Sequence, residues 1–339
     1  MFKLLQNRIG IDLGTANTLV YVPGQGVVLN EPTVVAIDRK TNGVLAVGSE
    51  AYTMVGKTPD DIVAYRPMKS GVIADYRITE AMLSYYISKS LSKYSLIKPD
   101  VVVSVPAGVT LTERDAVVEA ALKAGAKSAY AVKEPILAAI GGGISIQEPS
   151  GTMVVDIGGG TTDVAVISLG GIVASESVKC AGTRIDASII EYVKKQHGLH
   201  IGERTAERIK IEVGSARDLE EILSTSVKGR SVLDGLPRDV EVNSNQVVRM
   251  IQPELEEIIQ SIKRVLQATP PELASDVIDN GILMTGGSSL LRQLPELISS
   301  QVGLKAYLAE EPLLCVAKGT GEVLTHLDVY KRRLLSKWI

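Results

Sequence analysis

Near its start the chain reads Ile9-Gly10-Ile11-Asp12-Leu13-Gly14-Thr15-Ala16-Asn17-Thr18, and near its middle it reads Val154-Val155-Asp156-Ile157-Gly158-Gly159-Gly160-Thr161-Thr162-Asp163. In each stretch an apolar run carries one carboxylate, breaks into glycine, and then offers hydroxyl or amide groups before a second apolar run begins. Apolar runs on both sides of a glycine turn are typical of two strands joined by a hairpin. The repeat therefore predicts a duplicated molecule with one such hairpin in each half.

The chemistry of these hairpins favours phosphate binding. Glycine lets backbone N–H groups turn toward an anion without a Cβ in the way, and a nearby aspartate can hold a hydrated Mg²⁺ against the same phosphates. The first turn contains no lysine, so the metal and the amides must neutralise the phosphates, which predicts strict Mg²⁺ dependence. Asp12 taken alone also fits a turn-forming aspartate. Its repetition as Asp156 favours a metal site, because a buried carboxylate needs a partner.

Length and composition set the broad class. At 339 residues the chain exceeds what one hydrophobic core usually organises, so two lobes are expected. Strand-like runs at residues 101–105 and 281–284 each precede a turn and a helical segment, which indicates an α/β fold. The charge is nearly balanced, with 36 basic and 39 acidic side chains, and this argues against nucleic-acid binding.

Two further features concern the compartment. No apolar run reaches the roughly 18 to 20 residues that span a bilayer, so we expect a protein that is neither secreted nor integral to a membrane. Cys180 and Cys315 follow no metal or redox spacing, and we expect both to be buried, reduced thiols.

Three motifs carry a resemblance to a known superfamily: Asp12-Leu13-Gly14-Thr15, Asp156-Ile157-Gly158-Gly159-Gly160-Thr161-Thr162 and Gly286-Gly287-Ser288. Together they resemble the actin, sugar kinase and heat-shock chaperone ATPases. Within that group the chain is similar to the MreB family of bacterial actins from rod-shaped cells. The stretches that carry this closer match include Leu29-Asn30-Glu31-Pro32, Arg66-Pro67-Met68-Lys69-Ser70-Gly71-Val72-Ile73-Ala74-Asp75, Gly202-Glu203-Arg204-Thr205-Ala206-Glu207-Arg208-Ile209-Lys210 and Ala268-Thr269-Pro270-Pro271-Glu272-Leu273.

The resemblance implies a duplicated actin-like (ribonuclease H-like) ATPase fold of the α/β class, with two lobes, four subdomains and a nucleotide cleft between the lobes. We assign residues 1–140 and 312–339 to the first lobe, which includes a small insertion subdomain at 33–75. Residues 141–311 form the second lobe, whose outer, mostly helical subdomain spans 180–244.

The resemblance also implies that the site binds ATP and Mg²⁺. Asp12 and Asp156 would face each other and hold Mg²⁺ through water. Glu207, Lys210 and Gly214 lie on one face of a predicted helix, which fits a solvated ion pair and, in the resembling proteins, borders the adenosine. The residues expected to bind the nucleotide are Gly14, Thr15, Ala16, Asn17, Gly158, Gly159, Gly160, Thr162, Glu207, Lys210, Gly214, Gly286, Gly287 and Ser288.

Glu134 is the candidate catalytic residue. It stands where actin-like proteins orient the attacking water, although Glu134-Pro135 is also an ordinary way to start a helix. Thr161 is a second candidate for holding that water. A carboxylate that acts through a positioned water suits slow hydrolysis, so we expect a slow Mg²⁺-dependent ATPase coupled to polymerisation.

Apolar side chains beside basic residues at the termini and in one loop suit the headgroup boundary of an anionic membrane. Ordinary packing under a neighbouring helix is the alternative for each segment. The candidate membrane residues are Phe2, Leu4, Leu5, Leu96, Ile97 and Trp338.

The function implied is that of a cytoplasmic, peripherally membrane-associated cytoskeletal protein. It would form homopolymeric filaments on the inner face of the cytoplasmic membrane, work with cell-wall elongation proteins and determine rod shape. The alternative is a small-molecule, sugar-type kinase of the same superfamily, which would need a second catalytic carboxylate and a substrate pocket in the cleft.

Overall fold

The structure is a computed structural model that describes residues 7–69, 72–73, 76–91 and 97–330. In the amino-terminal part the elements are β1 (Arg8–Leu13), β2 (Asn17–Val22), β3 (Gly26–Pro32), β4 (Val35–Asp38), β5 (Val44–Val47), α1 (Ser49–Met54), β6 (Ile62–Tyr65), β7 (Met68–Lys69), β8 (Val72–Ile73), α2 (Tyr76–Ser90), β9 (Asp100–Val105), α3 (Leu111–Lys123), β10 (Ser128–Lys133) and α4 (Glu134–Gly141).

The carboxy-terminal part contains β11 (Thr152–Ile157), β12 (Thr162–Ser168), β13 (Gly171–Val178), α5 (Gly182–His197), β14 (Leu199–His200), α6 (Glu203–Val213), β15 (Ser224–Ser231), β16 (Pro237–Asn243), α7 (Ser244–Ala268), α8 (Pro271–Asn280), β17 (Ile282–Thr285), α9 (Leu294–Val302), β18 (Ala306–Leu308), α10 (Cys315–Thr325) and α11 (Leu327–Tyr330). Short 3₁₀ turns lie at Gly287–Leu290 and Pro312–Leu314.

Two five-stranded sheets share one topology. The first sheet has the order β3–β2–β1–β9–β10, and the second has the order β13–β12–β11–β17–β18. In both, the first three strands form an antiparallel meander and the last two run parallel to the central strand. The predicted duplication and the α/β class are confirmed. The first predicted hairpin joins β1 to β2 and the second joins β11 to β12, which occupy equivalent positions in the two sheets.

Three large apolar clusters hold the sheets and helices together. One packs α2 and α3 on the first sheet, and another packs α5, α6 and α7 on the second. The third lies between the sheets and combines strand residues such as Val102 and Val154 with Leu137 of α4 and Val323 of α10. Because this third cluster draws on both sheets, apolar burial fixes one half against the other.

The insertions after the two meanders differ. In the first half, β4, β5 and β6 form a small three-stranded sheet around α1. In the second half, α5 and α6 are accompanied by a three-stranded sheet of β14, β15 and β16, so the expectation of a mostly helical segment at 180–244 was incomplete. These strands escaped prediction because one face is polar and exposed, with Val227 and Val242 buried on the other.

Both cysteines are buried and unpaired, as expected. Among the described residues no helix is both long and apolar enough to traverse a lipid bilayer. Of the candidate membrane residues, Ile97 is exposed, with 44% of its surface accessible. The others, Phe2, Leu4, Leu5, Leu96 and Trp338, lie outside the described residues.

Candidate functional site

A cavity of about 480 Å³ lies where the two hairpins meet. The sequence-predicted residues that line it are Asp12, Gly14, Thr15, Ala16, Asn17, Glu134, Asp156, Gly158, Gly159, Gly160, Thr161, Glu207, Lys210, Gly214, Gly286, Gly287 and Ser288. Thr162 is the exception. It begins β12 with its side chain fully buried, and its hydroxyl donates to the carbonyl of Cys180 at 2.6 Å, so it is a structural residue and not a cavity residue.

The two turns touch each other directly. A Cβ added to Gly159 would lie 2.5 Å from the Cβ of Ala16, and one added to Gly160 would lie 2.6 to 2.9 Å from side-chain atoms of Thr15. These separations are far below ordinary van der Waals contact. The second turn is therefore built of glycine because the first turn already fills the adjoining space, and together the turns close one end of the cavity.

The first turn is held by groups from elsewhere in its own half. The hydroxyl of Thr33 donates to the carbonyl of Gly14 at 2.6 Å, and the Thr33 amide donates to the carbonyl of Ala16 at 2.9 Å. Nη1 of Arg66, just after β6, also donates to the Ala16 carbonyl, at 2.7 Å. With its carbonyls held in this way, the turn is fixed before any ligand arrives.

The second turn is held by the start of α5 and by the turn after β17. The amide of Thr183 donates to the carbonyl of Gly159 at 2.7 Å, and the Thr183 hydroxyl donates to the same oxygen. The hydroxyl of Ser288 donates to the carbonyl of Gly158 at 2.7 Å. Gly286, which begins this last turn, has φ +83°, and a Cβ there would collide with the backbone of Ile157, so glycine is required.

The aspartates of the two hairpins occupy equivalent positions in their strands. The hydroxyl of Ser104 donates to Asp12 at 2.8 Å, and the hydroxyl of Thr285 donates to Asp156 at 2.6 Å. Burial raises the pKa of Asp12 to about 6 and that of Asp156 to about 7, each partly offset by its hydroxyl donor. Each carboxylate thus has a neutral donor and is costly to ionise without a cation nearby.

Two more buried acids adjoin this pair. Glu134 is 8% exposed at the start of α4, and burial, followed by the charges of Asp163, Asp12 and Asp156, raises its pKa well above the usual value. Asp163 is fully buried, and burial also raises its pKa. Its Oδ1 accepts the amide of Ala107, from the loop after β9, at 2.7 Å, so this carboxylate joins the two halves of the molecule.

This acidic group fits a hydrated cation better than direct ligation. Among the described residues no three acidic, histidine or cysteine side chains converge in a geometry that could bind a metal. Asp12 and Asp156 nevertheless line one cavity, and the negative charge of Asp12 helps to raise the pKa of Asp156. A Mg²⁺ that keeps most of its waters needs only one or two carboxylates plus phosphate oxygens, and the residues present suit that arrangement.

Another part of the cavity wall is formed by α6 and the turn after β17. Nζ of Lys210 pairs with Asp186 at 2.9 Å and donates to the carbonyl of Gly182 at 3.3 Å. Burial raises the pKa of Asp186 to about 6, and Lys210 opposes that shift. Lys210 therefore lines the cavity, as predicted from the sequence, but its ion-pair partner is Asp186 of α5 and not Glu207, which lies three residues earlier on α6.

Sequence reasoning missed Arg66, Asp163 and Asp186. Asp163 had a usable signal, because it stands as a charge at the head of the apolar run Val164-Ala165-Val166-Ile167. The local sequence around Asp186 and Arg66 carried no signal for their contacts, since Lys210 lies 24 positions from Asp186 and Ala16 lies 50 positions from Arg66.

Comparisons with known proteins cover nearly the whole chain. A family model described as MreB/Mbl protein matches residues 6–332. Mbl of Bacillus subtilis (strain 168), a cell shape-determining protein, is 49% identical over 328 residues, which cover 97% of this chain and 98% of the relative. MreB of Escherichia coli (strain K12), also a cell shape-determining protein, is 48% identical over 340 residues, 98% of each chain.

Solved structures agree with this match. The crystal structure of MreB5 of Spiroplasma citri bound to AMPPNP superposes with a TM-score of 0.91 at 37% identity, covering 96% of this chain and 98% of that one. The MamK double helical filament superposes with a TM-score of 0.77 at 21% identity, over 94% of this chain and 98% of that one. At that identity the second likeness shows the actin-like fold alone.

Proposed function

The chain belongs to the MreB/Mbl family, and from this we propose that it is an ATP-binding, actin-like protein that polymerises into membrane-bound filaments and determines cell shape by organising wall synthesis. The observation that carries the proposal is the meeting of two turns, Gly14–Ala16 and Gly158–Gly160, on one cavity beside Asp12 and Asp156. Relatives support it, since MreB5 of Spiroplasma citri has been crystallised with AMPPNP and with ADP.

Within the cavity we assign the ends of the nucleotide by chemistry. The turns offer backbone amides to the phosphates, and Asp12 and Asp156 would hold a hydrated Mg²⁺ against them. When bound, the metal supplies the positive charge that the turns lack. The nucleoside would lie between α6 and the turn after β17, where the wall includes the apolar side chains of Leu290 and Leu313.

For hydrolysis we assign the attacking water to Glu134 and Thr161. Glu134 is buried at the cavity wall, and burial together with the neighbouring carboxylates raises its pKa, so its ionised carboxylate is a stronger base toward that water than an exposed glutamate. Because no covalent intermediate is needed, the expected activity is slow and changes subunit contacts instead of making a small-molecule product.

The lobe boundaries and the membrane contact belong to the same proposal. We place the first lobe at 1–140 with 312–339 and the second at 141–311, each built on one of the two matching sheets. Exposed Ile97 supports a loop contact with an anionic membrane, and many weak contacts summed along a filament would anchor it.

The test is pelleting of the full chain with ATP and Mg²⁺, with and without anionic liposomes, followed by electron microscopy. We expect filaments that require ATP and Mg²⁺ and that coat the liposomes. Filaments without liposome binding would remove the membrane part of the proposal. Soluble monomers under every condition, combined with phosphorylation of a small hydroxyl compound, would favour the kinase alternative.

A further inference from the structure

The wall at the nucleoside end of the cavity is made of two segments that are distant in sequence. One is the carboxy-terminal end of α6 with Gly214, and the other is the turn that runs from Gly286 to Arg292. A ligand held between them depends on the gap that separates them. Whatever sets this gap therefore affects binding of the nucleoside more than binding of the phosphates, which we assign to the two glycine turns.

Backbone contacts join these segments at one point. Ser215 and Arg292 form an isolated parallel bridge, and the amide of Ala216 donates to the carbonyl of Arg292 at 2.8 Å. Leu291, which is buried, lies so close to Gly214 that a Cβ on the glycine would approach its Cδ1 to 3.0 Å. These contacts do not involve the side chain of Arg292, so they remain when it is removed.

The side chain of Arg292 adds a second tie to the same helix end. Its Nη1 donates to the carbonyl of Ile211 and to the carbonyl of Gly214, both at 3.1 Å. The last carbonyls of a helix have no partner within the helix, and a cation near them is favoured by the helix dipole. Arg292 thus satisfies two acceptors at the end of α6 from the opposite wall of the cavity.

From this geometry we propose that Arg292 is a positioning residue for the nucleoside: by holding the end of α6 against the turn after β17, it fixes the gap in which the base and ribose bind. The inference rests on the proposed nucleotide function. It assigns the residue a role at the nucleoside end, because both hydrogen bonds of the Arg292 side chain go to the end of α6 and neither goes to the turns that face the phosphates.

The experiment compares nucleotide with phosphate. Binding of ATP, ADP and inorganic tripolyphosphate, each with Mg²⁺, is measured by calorimetry for the full-length wild type, Arg292→Ala and Arg292→Lys. We expect Arg292→Ala to weaken ATP and ADP binding by about fivefold, as loss of two backbone-directed hydrogen bonds suggests, and to leave tripolyphosphate binding unchanged. Lysine keeps a cationic donor, so Arg292→Lys should recover most of the affinity.

Arg217→Ala is the matched control. Arg217 lies on the same stretch after α6 but lines a separate cavity, and its guanidinium makes no hydrogen bond or ion pair within the described part of the chain. It should bind all three ligands as the wild type does. If Arg292→Ala folds poorly, binding of the same three ligands is measured with Arg292→Gln, which removes the charge but keeps a polar side chain.

Two results would overturn the proposal: unchanged ATP binding in Arg292→Ala, or an equal loss for ATP and tripolyphosphate, which would mean general loosening. Failure of the wild type itself to bind ATP would instead count against the proposed function.

Discussion

The two hairpins occupy the same place in two sheets of identical topology, yet their turns differ in composition. The first turn, Gly14-Thr15-Ala16, keeps two side chains, while the second, Gly158-Gly159-Gly160, keeps none. The difference follows from their contact: Ala16 and Thr15 occupy the space where side chains of the second turn would lie. Where the two halves of this duplicated fold meet, at the contact between the two turns, their sequences therefore cannot be identical, because only one turn can place side chains in the shared space.

We also expect the two halves to contribute unequally to ATP hydrolysis, and substitutions of the two candidate catalytic residues should give the largest effects. Glu134 comes from the first half and Thr161 from the second. We expect Glu134→Gln to lower ATP hydrolysis by about 10²-fold or more, because the amide cannot accept a proton, while ATP still binds. Thr161→Val should cost about tenfold, since it removes one hydrogen bond to the water.

Phosphate release at saturating ATP, alongside binding of a fluorescent ATP analogue, measures both effects. Thr325→Val is the control, since in the described part of the chain its hydroxyl bonds only to the carbonyl of Gly321 within α10. Equal losses for the two variants would show that the halves contribute alike.

The next variant disturbs the close contact between the two turns. Gly159→Ala places a methyl group 2.5 Å from the Cβ of Ala16, and relieving such an overlap typically costs 1 to 3 kcal/mol, so ATP affinity should fall by about ten- to a hundredfold. Ala16→Gly removes the opposing methyl. In the double variant we expect part of the affinity to return, with a coupling energy of about 1 kcal/mol in a double-mutant cycle.

Gly202→Ala is the control for that cycle, because a Cβ there would have no other described residue within 4 Å beyond its own chain neighbours. Additive losses in the cycle would contradict the account of the glycine turn.

The local parts of this architecture could be predicted from the sequence, and the contacts across it could not. Each hairpin is encoded within about ten consecutive residues, so strand, turn and carboxylate were all visible. The hydroxyl that binds Asp12 lies 92 positions away at Ser104, and the amide that binds Asp163 lies 56 positions away at Ala107. Such pairs depend on how the sheets pack, and nothing in the local pattern of either partner indicates them.

Thr162 is a second example of a residue whose surroundings the local sequence did not predict. The motif predicts that it binds the nucleotide, but successive strand residues point to opposite faces, and its hydroxyl is used by the carbonyl of Cys180.

The aspartates of the two hairpins predict a pH dependence of stability. For each, the folded-state pKa is raised above the ordinary value of 3.8, to about 6 for Asp12 and about 7 for Asp156. The folded protein then binds more protons than the unfolded chain between about pH 4 and pH 7, so the free energy of unfolding falls as pH rises through that window. The loss should be on the order of a few kcal/mol for the nucleotide-free protein.

Thermal unfolding at pH 5 and pH 8 measures this loss. Asp156→Asn should flatten the profile more than Asp12→Asn, because the Asp156 carboxyl is shifted further. Mg²⁺ with ADP should also flatten it, and a profile of opposite slope would refute the assignment.

The smallest effect concerns the hydroxyls that hold the two carboxylates. Among the described residues the Thr285 hydroxyl bonds only to Asp156, whereas Ser104 donates to Asp12 and also accepts the amide of Leu13 at 3.2 Å. Thr285→Val should therefore weaken Mg²⁺-ATP binding by about threefold with little change in unfolding temperature. Ser104→Ala should weaken binding by a similar factor and in addition cost about 1 kcal/mol of stability, because it leaves a buried amide without an acceptor. Mg²⁺ titration of ATP binding and thermal unfolding separate the two outcomes. Ser300→Ala is the control, since that exposed hydroxyl bonds, within the residues that the structure describes, only to the carbonyl of Leu297. If Thr285→Val destabilised the fold as much as Ser104→Ala, the two carboxylates would be held in the same way. The difference between the two hairpins would then be confined to the composition of their turns.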